Sequence, residues 1–245
     1  MSTMAVMMSP DSPLVSCLVS CLCVTRHRVP WLRRAVACFD AQTHAPRELV
    51  LLYESDDEAT RDYATTLTSR SDIRCVEVPA VPKRPLGALR NMAIAAARGT
   101  VVAQWDDDDW HSPARLEAQL AAMRAHGRAA CVLYRWTLYD AVARQSYVSL
   151  TRAWEGSIVS EREALPPYPE WVRGEDVPVI QSMLDAQQLV LLDAPELYVY
   201  IHHGRNTWHS EHFTDGMFPA SQKLPDDATR HIEGVIGAAA IELKP

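Results

Sequence analysis

The sequence has no excess of positive charge, no recurring cysteine pair, no long apolar run and no glycine-rich phosphate loop. Each absence removes a class of function. The formal net charge is −7, the reverse of the basic excess that a nucleic-acid binder carries, so nucleic acid is not expected as a partner. Any phosphate the chain binds must be met by local cations or a metal. The six cysteines, Cys17, Cys21, Cys23, Cys38, Cys75 and Cys131, form no repeated CxxC pattern, which argues against a zinc site. Most lie in apolar runs and read as buried thiols of a reducing compartment. Residues 1–25 are apolar enough to suggest a signal peptide, but no Lys or Arg precedes Arg26, so the positive n-region is missing. Nowhere does the chain offer the roughly 18 consecutive apolar residues of a membrane span. The expectation is a cytoplasmic protein, with peripheral contact to a membrane surface left open. No internal repeat is present. A hydrophobic content of 48% with 22% charged residues excludes a disordered chain.

What is there alternates. Residues 1–13 read as a flexible leader. Residues 14–24 are a Val/Leu/Cys-rich strand, and Pro30 suits the first turn of a following helix, with Trp31, Leu32, Ala35, Val36 and Phe39 at helical spacing. Residues 49–53 and 73–78 read as strands, separated by a helix over 58–69. A proline-rich loop, 79–85, leads into a helix over 86–98 with Gly99 as its C-cap. Residues 100–105 form a fourth strand. Ser112-Pro113 opens an amphipathic helix with Leu116, Leu120 and Met123 on one face. This alternation predicts an α/β fold, a mostly parallel central sheet with helices on both faces. Beyond it, short apolar runs at 130–134, 147–150, 189–192 and 197–201 predict mixed strands, with a helix at 177–186. Residues 219–245 read as a tail with a weak helix.

Four motifs carry chemistry. Gln104-Trp105-Asp106-Asp107-Asp108-Asp109-Trp110 puts four carboxylates in a row at the end of an apolar strand. Such carboxylates repel unless cations compensate, and the carboxyl ends of strands are where open α/β sheets bind ligands. Mg²⁺ or Mn²⁺ takes oxygen ligands of this kind and bridges them to phosphate. Arg173-Gly174-Glu175-Asp176 precedes a helix; its carboxylates either stabilise the helix N-terminus or supply a general base. The tract from Tyr200 to His209 places His202, His203 and His209 on a polar loop, and one of them is expected in the site. Leu86-Gly87-Ala88-Leu89-Arg90-Asn91 opens a helix, where Arg90 could meet phosphate.

In order and spacing these motifs resemble the family 2 glycosyltransferases of the GT-A fold, a Rossmann-like architecture. Val24-Thr25-Arg26-His27-Arg28 resembles the family's first nucleotide-contacting loop, Leu89-Arg90-Asn91 its Arg-Asn step, Asp106-Asp107-Asp108 its DxD motif and Glu175-Asp176 its ED motif. The resemblance covers about residues 15–213. Trp154-Glu155-Gly156 and His203-Gly204-Arg205-Asn206-Thr207-Trp208 are similar to a bacterial subgroup. The resemblance implies one domain over 14–218, with a nucleotide-binding half to about 110 and an acceptor half over 111–218. It implies a donor site for a UDP-sugar made by Thr25, Arg28, Glu54, Arg90, Asp106 and Asp107. It further implies Mn²⁺ or Mg²⁺ held by Asp106, Asp108 and His203, and Asp176 as the base with Glu175 positioning it or the acceptor. The implied reaction is inverting transfer to a carbohydrate or lipid-linked acceptor in bacterial surface polysaccharide or glycoconjugate synthesis. One departure stands out: Tyr53-Glu54 occupies the place where the family often carries two Asp residues.

Two other functions fit the sequence less well. A metal-dependent nucleotidyltransferase also combines this kind of sheet with acidic ligands, but it needs a glycine-rich basic loop near the first strand, and Arg26-His27-Arg28 has no glycine. A non-catalytic nucleotide-sugar binding module has less need for two intact acidic motifs.

Overall fold

A computed structural model describes residues 17–237. The expected leader, the start of the first strand and the last residues of the expected tail lie outside the described residues. The elements in chain order are β1 (Val19–Thr25), α1 (Val29–Asp40), β2 (Arg47–Glu54), α2 (Glu58–Leu67), β3 (Ile73–Val78), α3 (Leu86–Ala96), β4 (Val101–Gln104) and the two-residue β5 (Trp110–His111). They continue with α4 (Arg115–His126), β6 (Ala130–Leu133), β7 (Thr137–Asp140), β8 (Gln145–Val148), β9 (Trp154–Glu161), α5 (Val177–Asp185), β10 (Leu189–Leu192), β11 (Tyr198–His202), β12 (Gln222–Lys223) and α6 (Asp226–Ile236).

Seven strands form the central sheet in the order β10-β6-β9-β4-β1-β2-β3. β1 pairs in parallel with both β2 and β4, and β2 with β3; β9 runs antiparallel between β4 and β6. The period of two along each strand divides the core into two layers. Val19, Cys21 and Cys23 of β1 face Leu32 and Phe39 of α1 and Leu116 and Leu120 of α4. Leu22 of the same strand faces Leu89 and Ala93 of α3 on the opposite side. Helices thus cover both faces, and the architecture is the mostly parallel α/β sheet expected from the alternation.

A second sheet, β12-β8-β7-β11-β5, packs its own core of Trp136, Leu138, Tyr198, Phe213 and Phe218. The segment read as a tail contributes to it: β12 pairs with β8, and Glu233 of α6 accepts from the Tyr139 hydroxyl at 2.8 Å and from Arg144. Four strands were not expected: the two-residue β5 and β12, and the longer β7 and β9. β9 reads Trp-Glu-Gly-Ser-Ile-Val-Ser-Glu, and its serines break the apolar signal although Ser157 and Ser160 are buried. Their hydroxyls are satisfied: Ser157 donates to the Trp154 carbonyl and accepts from the Leu133 N–H of β6, and Ser160 donates to the Glu161 carbonyl.

Gly99 is not the C-cap of α3. The helix ends at Ala96 and Ala97 is already extended. Gly99 instead lies against β1, where its N–H donates to Ser20 Oγ at 2.9 Å and a Cβ would collide with the Leu18 carbonyl oxygen.

The order β3-β2-β1-β4 reverses direction at β1. The crevice between the carboxyl ends of β1 and β4 is therefore the topological switch point, where such sheets bind ligands. Thr25 and the acidic run both emerge there.

Candidate active site

The four aspartates do not share one environment. Thr25 Oγ1 donates to Asp107 Oδ2 at 2.5 Å, tying the end of β1 to the acidic turn. Arg28 Nη1 lies 2.7 Å from Asp108 Oδ2 and 3.3 Å from Asp107 Oδ1. Burial, then the charge of Asp108, pushes Asp107 up to about 7, against the pull of Arg28. Burial also acts to raise Asp108, but Arg28 and then His203 hold its carboxyl well below the usual carboxylate range. From beneath, the buried Arg34 donates to the Asp108 carbonyl oxygen at 2.5 Å. Asp106 receives Arg90 Nη2 at 3.2 Å and Gln104 Nε2 at 3.0 Å. Asp109 is bonded into the core: it accepts from the Tyr198 hydroxyl and from the Ile201 N–H. Burial, with the charges of Asp108 and Asp106, lifts it well above the ordinary value. Its role is to hold β11 against the acidic turn.

α3 brings the second motif alongside. Asn91 grips the backbone of Tyr168 twice, donating to its carbonyl at 2.8 Å and accepting its N–H at 2.9 Å. Gly87 lets the helix approach this loop, because a Cβ there would overlap the Pro169 carbonyl oxygen. Arg90 is thereby set between two carboxylates, with Nε 2.7 Å from Glu175 Oε1 and Nη2 on Asp106. Glu175 is only 2% exposed, and its Oε1 is held by this contact. Asp176 stands at the start of α5 without a side-chain capping bond. Burial raises its carboxyl to about 7; Arg90 opposes this, and Glu175, Glu155 and Asp106 add to it.

The histidines separate in the same way. His203 is buried, stacks on Trp31 with ring centroids 4.0 Å apart, and sets Nε2 3.1 Å from Asp108 Oδ2. Its Nδ1 accepts the Arg205 N–H at 3.2 Å, so in the neutral ring the proton sits on Nε2, directed at Asp108. His202 turns the other way, to Asp140 at 3.1 Å, and stacks on Phe213. His209 is exposed. Glu54, at the end of β2, is buried, with Lys83 on Oε2, Arg26 Nε at 3.5 Å and no partner for Oε1.

A cavity of about 300 Å³ gathers much of this set. Arg28, Arg90, Asp106, Asp107, Asp108, Glu175 and Asp176 all line it. Thr25 and His203 support the acids from outside the lining, and Glu54 lies apart, beside the loop carrying Lys83. The opposite wall is made by Trp136 from just before β7, Trp154 and Gly156 from β9, and Tyr200 from β11; the sequence motifs include Trp154, Gly156 and Tyr200 without giving them a place in the site, and do not include Trp136. Gly156 is small because Asp106 Oδ2 and the Trp136 ring each lie 3.2 Å from where a Cβ would stand. The available signal was weak, a scatter of aromatics among short polar strands. Among the described residues, no group of three or more His, Cys, Asp or Glu side chains is already gathered around a point that could hold a metal. The oxygen donors of the acidic turn nonetheless suit a hard divalent ion. No helix among the described residues is long and apolar enough to cross a membrane.

Comparison with known proteins agrees with this geometry. The model of a family described as "Glycosyl transferase family 2" matches residues 20–166, more than half of the chain. The sequence matches no curated protein. Among solved structures, the chain is similar to S. aureus TarS 1-349, at 13% identity over 75% of this chain and 60% of that one, with a TM-score of 0.60. It is likewise similar to the same protein in complex with UDP-GlcNAc, at 15% identity over 78% and 60%, with a TM-score of 0.62. The likeness is one of fold, GT-A, and the chain spans about 60% of the length of these structures.

Proposed function

The chain belongs to glycosyl transferase family 2, and we propose that it moves a sugar, with inversion, from a UDP-sugar to the hydroxyl of a carbohydrate or lipid-linked acceptor, in the synthesis of a bacterial surface polysaccharide or glycoconjugate. The observation that carries this reading is that one cavity holds both the acidic turn, compensated by Arg28 and Arg90, and an uncommitted carboxylate, Asp176. A pKa near 7 suits a general base at neutral pH. Asp176 takes the acceptor hydroxyl proton on its carboxylate oxygen as the oxygen attacks the anomeric carbon. Arg90 keeps Glu175 turned away from that exchange. Arg28 offers its guanidinium to the diphosphate, and Glu54, at the end of β2, is assigned to the nucleotide base. Mg²⁺ or Mn²⁺ would be held by Asp106 and Asp108, with His203 Nε2 as a further ligand in the tautomer that carries its proton on Nδ1, and would supply Lewis-acid stabilisation of the leaving diphosphate. The free thiols among the described residues support a cytoplasmic location.

UDP-GlcNAc, which the similar TarS structure contains, is the first donor to test with Mn²⁺. A bound donor at about 100-fold excess over Kd stabilises the protein by about 2.7 kcal/mol in a thermal-shift experiment. UDP release dependent on acceptor is the expected product readout. Pyrophosphate release would instead identify a nucleotidyltransferase, and binding without turnover across donor and acceptor panels would identify a binding module.

A further inference from the structure

The central sheet ends in two unlike edges. β3 carries the exposed charges Arg74 and Glu77, a common means of keeping an edge from pairing with another chain. β10, at the other end, reads Leu-Val-Leu-Leu and has none. Its one strand neighbour among the described residues is β6. On that side the carbonyls of Gln188 and Leu192 accept from the N–H groups of Ala130 and Tyr134, at 3.0 and 2.8 Å. Successive residues of a strand turn their backbone groups to opposite sides, so those of Leu189 and Leu191 face outward. All four side chains of β10 are partly exposed, although their partners on β6, Ala130 to Leu133, are fully buried. Leu189 packs beside Ile180 and Met183. Leu191, on the same face of the sheet, is 39% exposed.

Charge is divided between the two ends of this strand. Before it, the exposed Arg128 donates to the Gln187 carbonyl at 2.6 Å and makes no salt bridge among the described residues. After it, the exposed Asp193 is held by Arg135 at 2.7 and 2.8 Å, and Glu196 adds a second negative charge beside that pair. The entry to β10 is therefore positive and its exit negative.

We propose that β10 is an interface for a second copy of this chain, which pairs with it antiparallel about a two-fold axis at Val190. The outward backbone groups select this register. With Val190 opposite Val190, Leu189 of each copy stands opposite Leu191 of the other, and the two pairs exchange four N–H···O bonds. Each exposed Leu191 is then covered by Leu189 of the other copy on the same face. A register centred on Leu191 sets Leu189 against Asp193. One centred on Leu189 sets Leu191 against Gln187, whose φ of 54° lies outside the extended range. Antiparallel pairing also brings Arg128 of one copy to the Asp193 end of the other, twice over. A single surface thus complements itself and closes the assembly at two copies. A strand pair of four residues is a small interface, so the equilibrium belongs to the weak, concentration-dependent class.

Sedimentation velocity on the full chain, from about 1 to about 300 µM, tests this. The average mass should rise with concentration from one chain toward two. Leu191→Lys sets a charge at an exposed edge position. It should weaken association roughly tenfold or more by removing both Leu189–Leu191 pairs, with the far-UV circular dichroism unchanged. The register has its own test. Leu189→Cys and Leu191→Cys proteins, mixed under mild oxidation, should form a disulfide-linked dimer faster than either protein alone. Positions 189 and 191 of the two copies are directly opposite, whereas each lies on the diagonal from its own counterpart, about 7–8 Å away and beyond easy disulfide reach. A wild type that keeps the mass of one chain throughout, a mass that climbs past two chains, a Leu191→Lys variant that associates like the wild type, or a cysteine mixture that cross-links no faster than its components would each overturn the interface.

Discussion

Arg90 Nε donates to Glu175 Oε1 at 2.7 Å across 85 residues of sequence, while Asp176, the next residue, receives no such bond. Two adjacent carboxylates are thus given different work. The first is neutralised and fixed; the second is buried, uncommitted and close to neutral pH in its titration.

Asp176→Asn should therefore lower transfer by about 10²–10⁴-fold with donor binding retained, the usual contribution of a positioned base. Glu175→Gln should be milder in kcat. Steady-state kinetics with a saturating donor distinguishes them, and the opposite ranking would move the base to Glu175.

The same carboxyl sets a pH dependence. Activity should rise as pH increases through about 7, where Asp176 ionises. Stability runs the other way. Because the folded-state pKa is raised above the ordinary 3.8, the contribution to stability is whole below that value and is lost as pH rises through about 7. Asp176→Asn should melt higher than wild type at about pH 8 and at the same temperature below about pH 3.5, as read by calorimetry.

Asp108 and Asp109 should separate cleanly. Asp108→Asn is expected to lower the melting temperature at neutral pH, since Arg28 and His203 lose their charged partner, and to abolish metal-dependent UDP binding by isothermal titration; tight metal-free binding in the wild type would defeat this. Asp109→Ala leaves the Tyr198 hydroxyl and the Ile201 N–H unpaired in the core, and should cost about 1–3 kcal/mol for each in denaturant unfolding.

Arg90→Ala should do more than weaken the donor. It strands the buried Glu175, and breaking a buried pair in this way costs about 3–5 kcal/mol. Arg90→Lys retains charge without the two-armed geometry, so it should recover stability more than donor KM. An unchanged donor KM in the lysine variant would assign Arg90 a purely structural part.

Gly87→Ala introduces a methyl into the Pro169 carbonyl oxygen. The loop carrying Glu175 and Asp176 must then retreat, at about 1–3 kcal/mol, with kcat falling although no charged group has changed. Wild-type activity and stability in this variant would refute the close approach.

The sequence by itself determined the alternating elements, because period-two and helical spacings of Val19, Cys21, Cys23, Leu116, Leu120 and Met123 are local properties that burial then satisfies. It also determined that an acidic run follows β4 and that a carboxylate pair precedes α5. It did not reveal β7, which is only four residues long, or β9, whose buried Ser157 accepts a hydrogen bond from Leu133 that only the assembled sheet supplies. Nor did it distinguish Asp109 from Asp108, or Glu175 from Asp176. Neighbours in a turn differ in side-chain direction, and their partners, Tyr198, His203 and Arg90, come from 85 to 95 residues away. The tertiary structure alone decided which carboxylates are neutralised, which one is left free, and which aromatics from β9, β11 and the start of β7 close the far wall of the cavity.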